Sequence, residues 1–159
     1  MPLDPHDLDL TMLASLIGTA LDERTLAALR DAGHPHLRRA HGFVFQHLIE
    51  RQPTVGQLAE SLGVTPQAAS KYVVDLESLG YVLRETDPLD SRVRRIVMTP
   101  HGHHAVSIAR ELRTDLEREL AQDLGDSAVA DSRRVLVALL DRLAATEAIT
   151  HRRIPLPRE

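Results

Sequence analysis

Residues 54–102 read TVGQLAESLGVTPQAASKYVVDLESLGYVLRETDPLDSRVRRIVMTPHG, and this stretch decides the fold. Thr54 followed three residues later by Gln57 is a capping box, in which each side chain satisfies a backbone N–H left open at a helix start. Val55, Leu58, Ala59 and Leu62 then recur at i, i+3, i+4 and i+7, the stripe of a short core-facing helix. Gly63 stops it. Thr65-Pro66 starts the next, because Thr caps well and proline's fixed φ and missing N–H suit the first helical position. This second helix runs to Leu79, with Gly80 placed to close it. Two short helices joined by a tight glycine turn make a helix-turn-helix. Tyr81–Glu85 reads as a strand, Asp87–Ser91 as a turn cluster and Arg92–Met98 as a returning strand. A hairpin directly after a helix-turn-helix is a wing.

Outward from this block the chain is helical. Leu8–Arg30 places Leu10, Leu13, Leu16, Ile17, Ala20 and Leu21 near helical spacing, with Gly18 as a point where the helix can be interrupted. Asp31–Pro35 breaks the pattern. His36–Glu50 reads as a second helix, with Phe43, Val44, His47 and Leu48 near one face, and Gln52-Pro53 ends it. After the wing, Thr99-Pro100 repeats the cap-then-proline start. A long helix follows, with Ile108, Leu112, Leu116, Leu120 and Leu124 every four residues. Gly125–Ser127 punctuates, and a last helix carries Val135, Leu136, Leu139, Leu140 and Leu143. The fold class is mainly α with a small β-hairpin wing.

Composition bounds the function. Of the 159 residues, 43 % are apolar but only 3 % aromatic, so the core is aliphatic. There is no cysteine, which excludes disulfides, cysteine zinc sites and thiol redox sensing. No apolar run approaches the roughly 20 residues that span a bilayer. The acidic start, Met1–Asp9, lacks the basic region of a signal peptide. The expected location is cytoplasmic and nucleoid-associated. Net charge is −4, so any nucleic-acid footprint is local. Residues 36–104 hold eight basic and seven acidic side chains and form the only positive segment. Residues 1–35 hold two and six, and residues 105–159 nine and ten.

A recognition helix enters the major groove with its N-terminal half. With Ala69, Val73 and Leu76 facing the core and Tyr72 alongside, the outward positions are Gln67, Ser70 and Lys71. Small Ala68 permits close approach. Glutamine can pair bidentately with adenine, and Ser and Lys suit phosphate or base acceptors. Thr65, Pro66 and the helix N-terminus favour a phosphate. Arg92, Arg94 and Arg95 cluster at the wing. Strand alternation sends Arg94 and Arg95 to opposite faces, so one of the two reaches DNA. A wing arginine can instead pair with Asp87 or Asp90.

The segments Leu58-Ala59 to Gly63-Val64-Thr65, Leu76–Val82, Asp90-Ser91-Arg92 and Met98–Gly102 together resemble the MarR family of winged helix-turn-helix regulators, over about residues 36–104. The resemblance implies that Arg92 enters the adjacent minor groove and that Asp90 orients it by a hydrogen bond. It also implies N- and C-terminal dimerisation helices. The expected organisation is a DNA-binding domain over 36–104, a dimerisation region over 1–35 and 105–151, and a mobile tail over 152–159. The expected partners are double-stranded DNA and a second copy of the chain, with repression on a pseudo-palindromic operator. By the same analogy a small-molecule effector would sit near Leu13, Ile17, His41, Phe45 and His104.

Other readings are weaker. The nine histidines invite a metal-responsive regulator, through His101, His103 and His104 at a helix start and His34, His36 and His41 upstream. No two are spaced i, i+4 on a helix and no His-Glu-x-x-His occurs, so no metal and no cofactor is expected. No phosphate loop or nucleophile elbow appears, so the chain is not expected to be an enzyme. A winged helix that binds protein without DNA is the remaining alternative. Lys71, Ser70 and Arg92 argue against it.

Overall fold

The computed structural model describes residues 4–150 and Leu156. A short 3-10 turn, Pro5–Asp7, leads into α1 (Leu10–Asp31), α2 (Arg39–Leu48), α3 (Val55–Leu62) and α4 (Pro66–Ser78). Strands β1 (Val82–Thr86) and β2 (Arg94–Met98) form an antiparallel hairpin with Val82 opposite Met98 and Thr86 opposite Arg94. Helices α5 (Pro100–Leu124), α6 (Asp126–Arg142) and α7 (Thr146–Thr150) follow.

The capping logic read from the sequence is present atom for atom. Thr54 Oγ1 accepts from the Gln57 N–H at 3.3 Å and Gln57 Oε1 accepts from the Thr54 N–H at 3.0 Å. Thr65 Oγ1 accepts from the Ala68 N–H. Gly63 closes α3 at φ 65°, a left-handed conformation in which a side chain would be strained. The expected stripe is the core: Leu58, Leu62, Val73, Leu76 and Ala69 are fully buried, joined by Val44 from α2 and Ile96 from β2.

Some boundaries differ from expectation. Helix α1 runs straight through Gly18, because a lone glycine costs a helix only about 1 kcal/mol and does not break its hydrogen bonding. Helix α2 starts three residues late, since His34–Leu37 forms a turn closed by the Leu37 N–H on the His34 carbonyl. Strand β2 begins at Arg94 rather than Arg92, because Val93 is held in the turn by the Asp90 carbonyl. The expected last helix is α6, which ends at Arg142 with Leu143 as its C-cap, and Ala144 at φ 53° then turns the chain into a further short helix, α7. The mobile tail expected over 152–159 lies outside the described residues apart from Leu156. Its N–H donates to the Leu62 carbonyl at 3.2 Å, and its side chain packs on the core.

The wing is fixed to the helix-turn-helix at three places. The Ile96 N–H donates to the Pro53 carbonyl at 2.9 Å. Thr99 Oγ1 donates to the Gly80 carbonyl at 2.7 Å, and the Thr99 N–H donates to that of Tyr81 at 3.0 Å. Gly102, in the first turn of α5, lies so close beneath them that a Cβ there would stand 2.4 Å from the Tyr81 carbonyl oxygen and 2.6 Å from Met98 Cγ. The family-type glycine is therefore a packing requirement. It lets α5 begin against Tyr81 and the end of β2.

Helix α1 packs against α5, and α5 against α6. They leave apolar side chains in water: Leu10, Met12, Leu16 and Ile17 on α1, Leu120 and Leu124 on α5, and Val135, Leu136 and Val137 on α6 are all about half exposed or more.

Candidate nucleic-acid interface

Helix α4 turns one face inward and one outward. Ala69, Val73 and Leu76 are at 0 % exposure and Tyr72 packs partly against the core, as expected from the sequence. Gln67 and Lys71 are exposed, and Ser70 and Ala68 half-buried. Gln67, Ser70 and Lys71 share a shallow surface groove with Val74, Asp75 and Ser78. Thr65 and Pro66 are exposed at the helix start.

At the wing, the Asp87 carboxylate accepts from the Leu89 N–H at 2.8 Å and the Asp90 carboxylate from the Arg92 N–H at 3.0 Å. Each is an Asx turn that shapes the tip. Asp90 thus orients Arg92 through its backbone, leaving the guanidinium exposed. Leu89 is 95 % exposed at the same tip, a feature the turn-cluster reading did not single out.

The two neighbouring arginines part, as alternation requires. Arg94 stays exposed with its guanidinium on Thr86 Oγ1 at 2.7 Å. Arg95 turns inward, where it pairs with buried Asp87 and donates to the Gln52 carbonyl at 3.0 Å. The Leu89 N–H and then Arg95 hold the Asp87 carboxyl below its ordinary range.

Ion pairing sorts the cations of the domain. Among the described residues, Arg38 pairs with Asp75, Arg39 with Asp22 at 2.6 Å, Arg84 with Glu77 at 3.5 Å and Arg95 with Asp87. No ion pair of this kind involves Lys71, Arg92, Arg94 or Arg51 among those residues. The unneutralised charge therefore lies on α4, the wing and the loop before α3.

The residues expected near an effector separate. His41 and Phe45 line a largely apolar cavity of about 270 Å³ between α1, α2 and α5, together with Leu26, Leu29, Phe43 and Arg113. Leu13 and Ile17 do not line it, and Ile17 is 63 % exposed. His104 lies elsewhere, with its Nδ1 2.9 Å from His34 Nε2.

Two histidine arrangements escaped the sequence reading. His41, fully buried, sets Nε2 3.0 Å from the Asp75 carboxylate of α4 and receives the Arg38 N–H on Nδ1. Burial pushes the His41 imidazole down in pKa; the Asp75 hydrogen bond opposes this. His34, also buried, bonds Tyr81 Oη at 3.0 Å and His104, and its ring lies 4.6 Å from that of His101. His101 in turn stacks on Tyr81. Burial first, then the like charges of His101 and His104, lower the pKa of His34. Among the described residues no group of three or more histidine or carboxylate side chains is arranged to hold a metal ion.

Comparison with known proteins agrees with this geometry. Residues 37–93 match the sequence profile of the MarR family. Among curated proteins none matches. A transcriptional regulator from Thermotoga maritima superposes with a TM-score of 0.61 at 26 % identity, covering 85 % of this chain and 96 % of its own. A MarR family protein from Bacillus stearothermophilus gives 0.68 at 21 % identity, covering 85 % and 93 %. Streptococcus pneumoniae FabT, solved in complex with DNA, gives 0.70 at 18 % identity, covering 84 % and 94 %. Residues 37–93 thus match the MarR family profile, and the chain shares its fold with these regulators.

Proposed function

We propose that this protein binds duplex DNA sequence-specifically as a homodimer and represses transcription from a pseudo-palindromic operator. The observation that carries this reading is the sorting of charge. Arg38, Arg39, Arg84 and Arg95 are paired with carboxylates, while Lys71 on α4, Arg92 and Arg94 on the wing and Arg51 in the loop before α3 have no carboxylate partner among the described residues. Unpaired cations on the helix and the wing suit phosphates and a narrow minor groove. The DNA complex solved for FabT, which shares the fold, supports the same reading. Thr65, Pro66, Gln67, Ala68, Ser70 and Lys71 serve the major groove. Arg92 and Arg94 serve the wing, and Arg95 holds the wing's shape.

Residues 36–104 act as the DNA-binding domain, with 1–35 and 105–151 as the dimerisation region. The half-exposed apolar side chains of α1, α5 and α6 support that assignment, since a second copy is the partner that would bury them. A ligand in the cavity beside His41 and Phe45 would act as effector by preferring one spacing of the two recognition helices. A hundredfold change in operator affinity needs about 2.7 kcal/mol of such preference.

The test is selection of bound duplexes from a random pool at about 0.15 M salt, near the physiological range, with protein of measured oligomeric state. Enrichment of a two-fold-symmetric motif with half-sites about 10 base pairs apart is expected. Absence of any enriched motif, from a protein shown to be folded and dimeric, would move the protein-binding alternative to first place.

A further inference from the structure

The groove along the outer face of α4 contains one side chain that neither the core nor the helix accounts for. Val74 is 53 % exposed, between fully buried Val73 and half-buried Asp75. It is not among the residues packed on the core. A β-branched residue at an exposed helix position is also a poorer helix former than Ala, Leu, Lys or Glu. Its neighbours in the groove, Gln67, Ser70, Lys71, Asp75 and Ser78, are all polar. Of these, Asp75 has its Oδ2 taken by Arg38 and His41.

Resting on the reading of α4 as a recognition helix, we propose that its outward face at Gln67, Ser70 and Lys71 extends one turn further into the groove, so that Val74, just past the helix's N-terminal half, reads a thymine through its 5-methyl group. Thymine is the only base that offers a methyl in the major groove, and an apolar side chain is its natural contact. Val74 lies two helical turns beyond Gln67, about 10 Å along the axis at 1.5 Å per residue. Base pairs rise about 3.4 Å each. The thymine therefore falls within about three base pairs of the position that Gln67 addresses, which gives each half-site two linked letters. Ser70 and Lys71, on the turn between them, remain free for backbone or base acceptors.

The experiment replaces each thymine of the selected operator in turn by deoxyuridine, which keeps the pairing edge and loses only the methyl. Affinity is measured by fluorescence anisotropy for the wild type and for Val74→Ala. One thymine per half-site is expected to be sensitive. Its replacement should weaken wild-type binding roughly fourfold per half-site, the worth of burying one methyl group, and should weaken Val74→Ala much less. Wild-type binding that no deoxyuridine weakens would overturn the proposal while leaving the regulator reading intact. So would equal sensitivity in Val74→Ala. If folded wild-type protein bound no duplex at all, both readings would fall together.

Discussion

His41 Nε2 lies 3.0 Å from Asp75 Oδ2 and ties α2 to the recognition helix. Because His41 Nδ1 accepts the Arg38 N–H, its Nε2 carries the proton and donates to Asp75. The neutral imidazole is thus satisfied at both nitrogens in a fully buried position. The same carboxylate takes the Arg38 guanidinium from the outer side. Asp75 therefore sets the seating of α4 against the domain. Removing it by Asp75→Ala leaves a buried N–H without its acceptor and should cost about 1–3 kcal/mol. Urea denaturation would show a lower midpoint with an unchanged slope. An unchanged midpoint would mean that the pair does not hold the helix.

Stability should fall as pH drops below about 6.5. His41 and His34 both have pKa values lowered by burial, so below 6.5 the unfolded chain binds protons that the folded chain refuses. The loss is absent above that pH and grows until the folded-state values are reached. Midpoints measured between pH 7.5 and 5.5 should decline, and less steeply in His34→Asn. A profile flat across this window would show that neither imidazole is held neutral by the fold.

Gly102→Ala should destabilise the protein by about 1–3 kcal/mol, as for other overpacked sites. The new Cβ meets the Tyr81 backbone carbonyl, which cannot swing aside as a flexible side chain can. The same substitution at Gly18, where nothing lies within 4 Å, should stabilise the helix slightly. Thermal melts of the two variants give the comparison, and equal melting temperatures would contradict the close approach.

Wing and recognition-helix cations should separate by readout. Arg92→Ala should weaken operator binding by about 1–3 kcal/mol and relax preference for an A·T-rich flank. Lys71→Ala should weaken binding to every sequence and lower the salt slope by about one unit if it meets phosphate. Loss confined to one base identity would instead make Lys71 a base reader.

Arg95→Ala should behave differently from both. Its guanidinium is already committed to Asp87 and the Gln52 carbonyl, so the variant should melt earlier yet keep the wild-type salt slope. Arg94→Ala should keep its stability and lose salt slope. A reversed pattern would mean that the wing turns over on DNA.

The sequence by itself determined the elements and their order. Thr54 with Gln57, Thr65 with Pro66, and the apolar spacing of Leu58 to Leu76 are local signals, acting within one or two helical turns, and each survives intact in the fold. It also determined which face of α4 is outward, since burying Ala69, Val73 and Leu76 leaves Gln67 and Lys71 no other direction. Only the tertiary structure decided which polar groups meet. His41 and Asp75 are 34 residues apart and His34 and His104 are 70 apart, so no periodicity links them. The same holds for the fate of the three wing arginines: alternation separates Arg94 from Arg95, but only the position of Asp87 and the Gln52 carbonyl turns Arg95 into a structural residue. Short-range propensity is written in neighbouring letters. Charge pairing across a core depends on distances that exist only after the chain has packed.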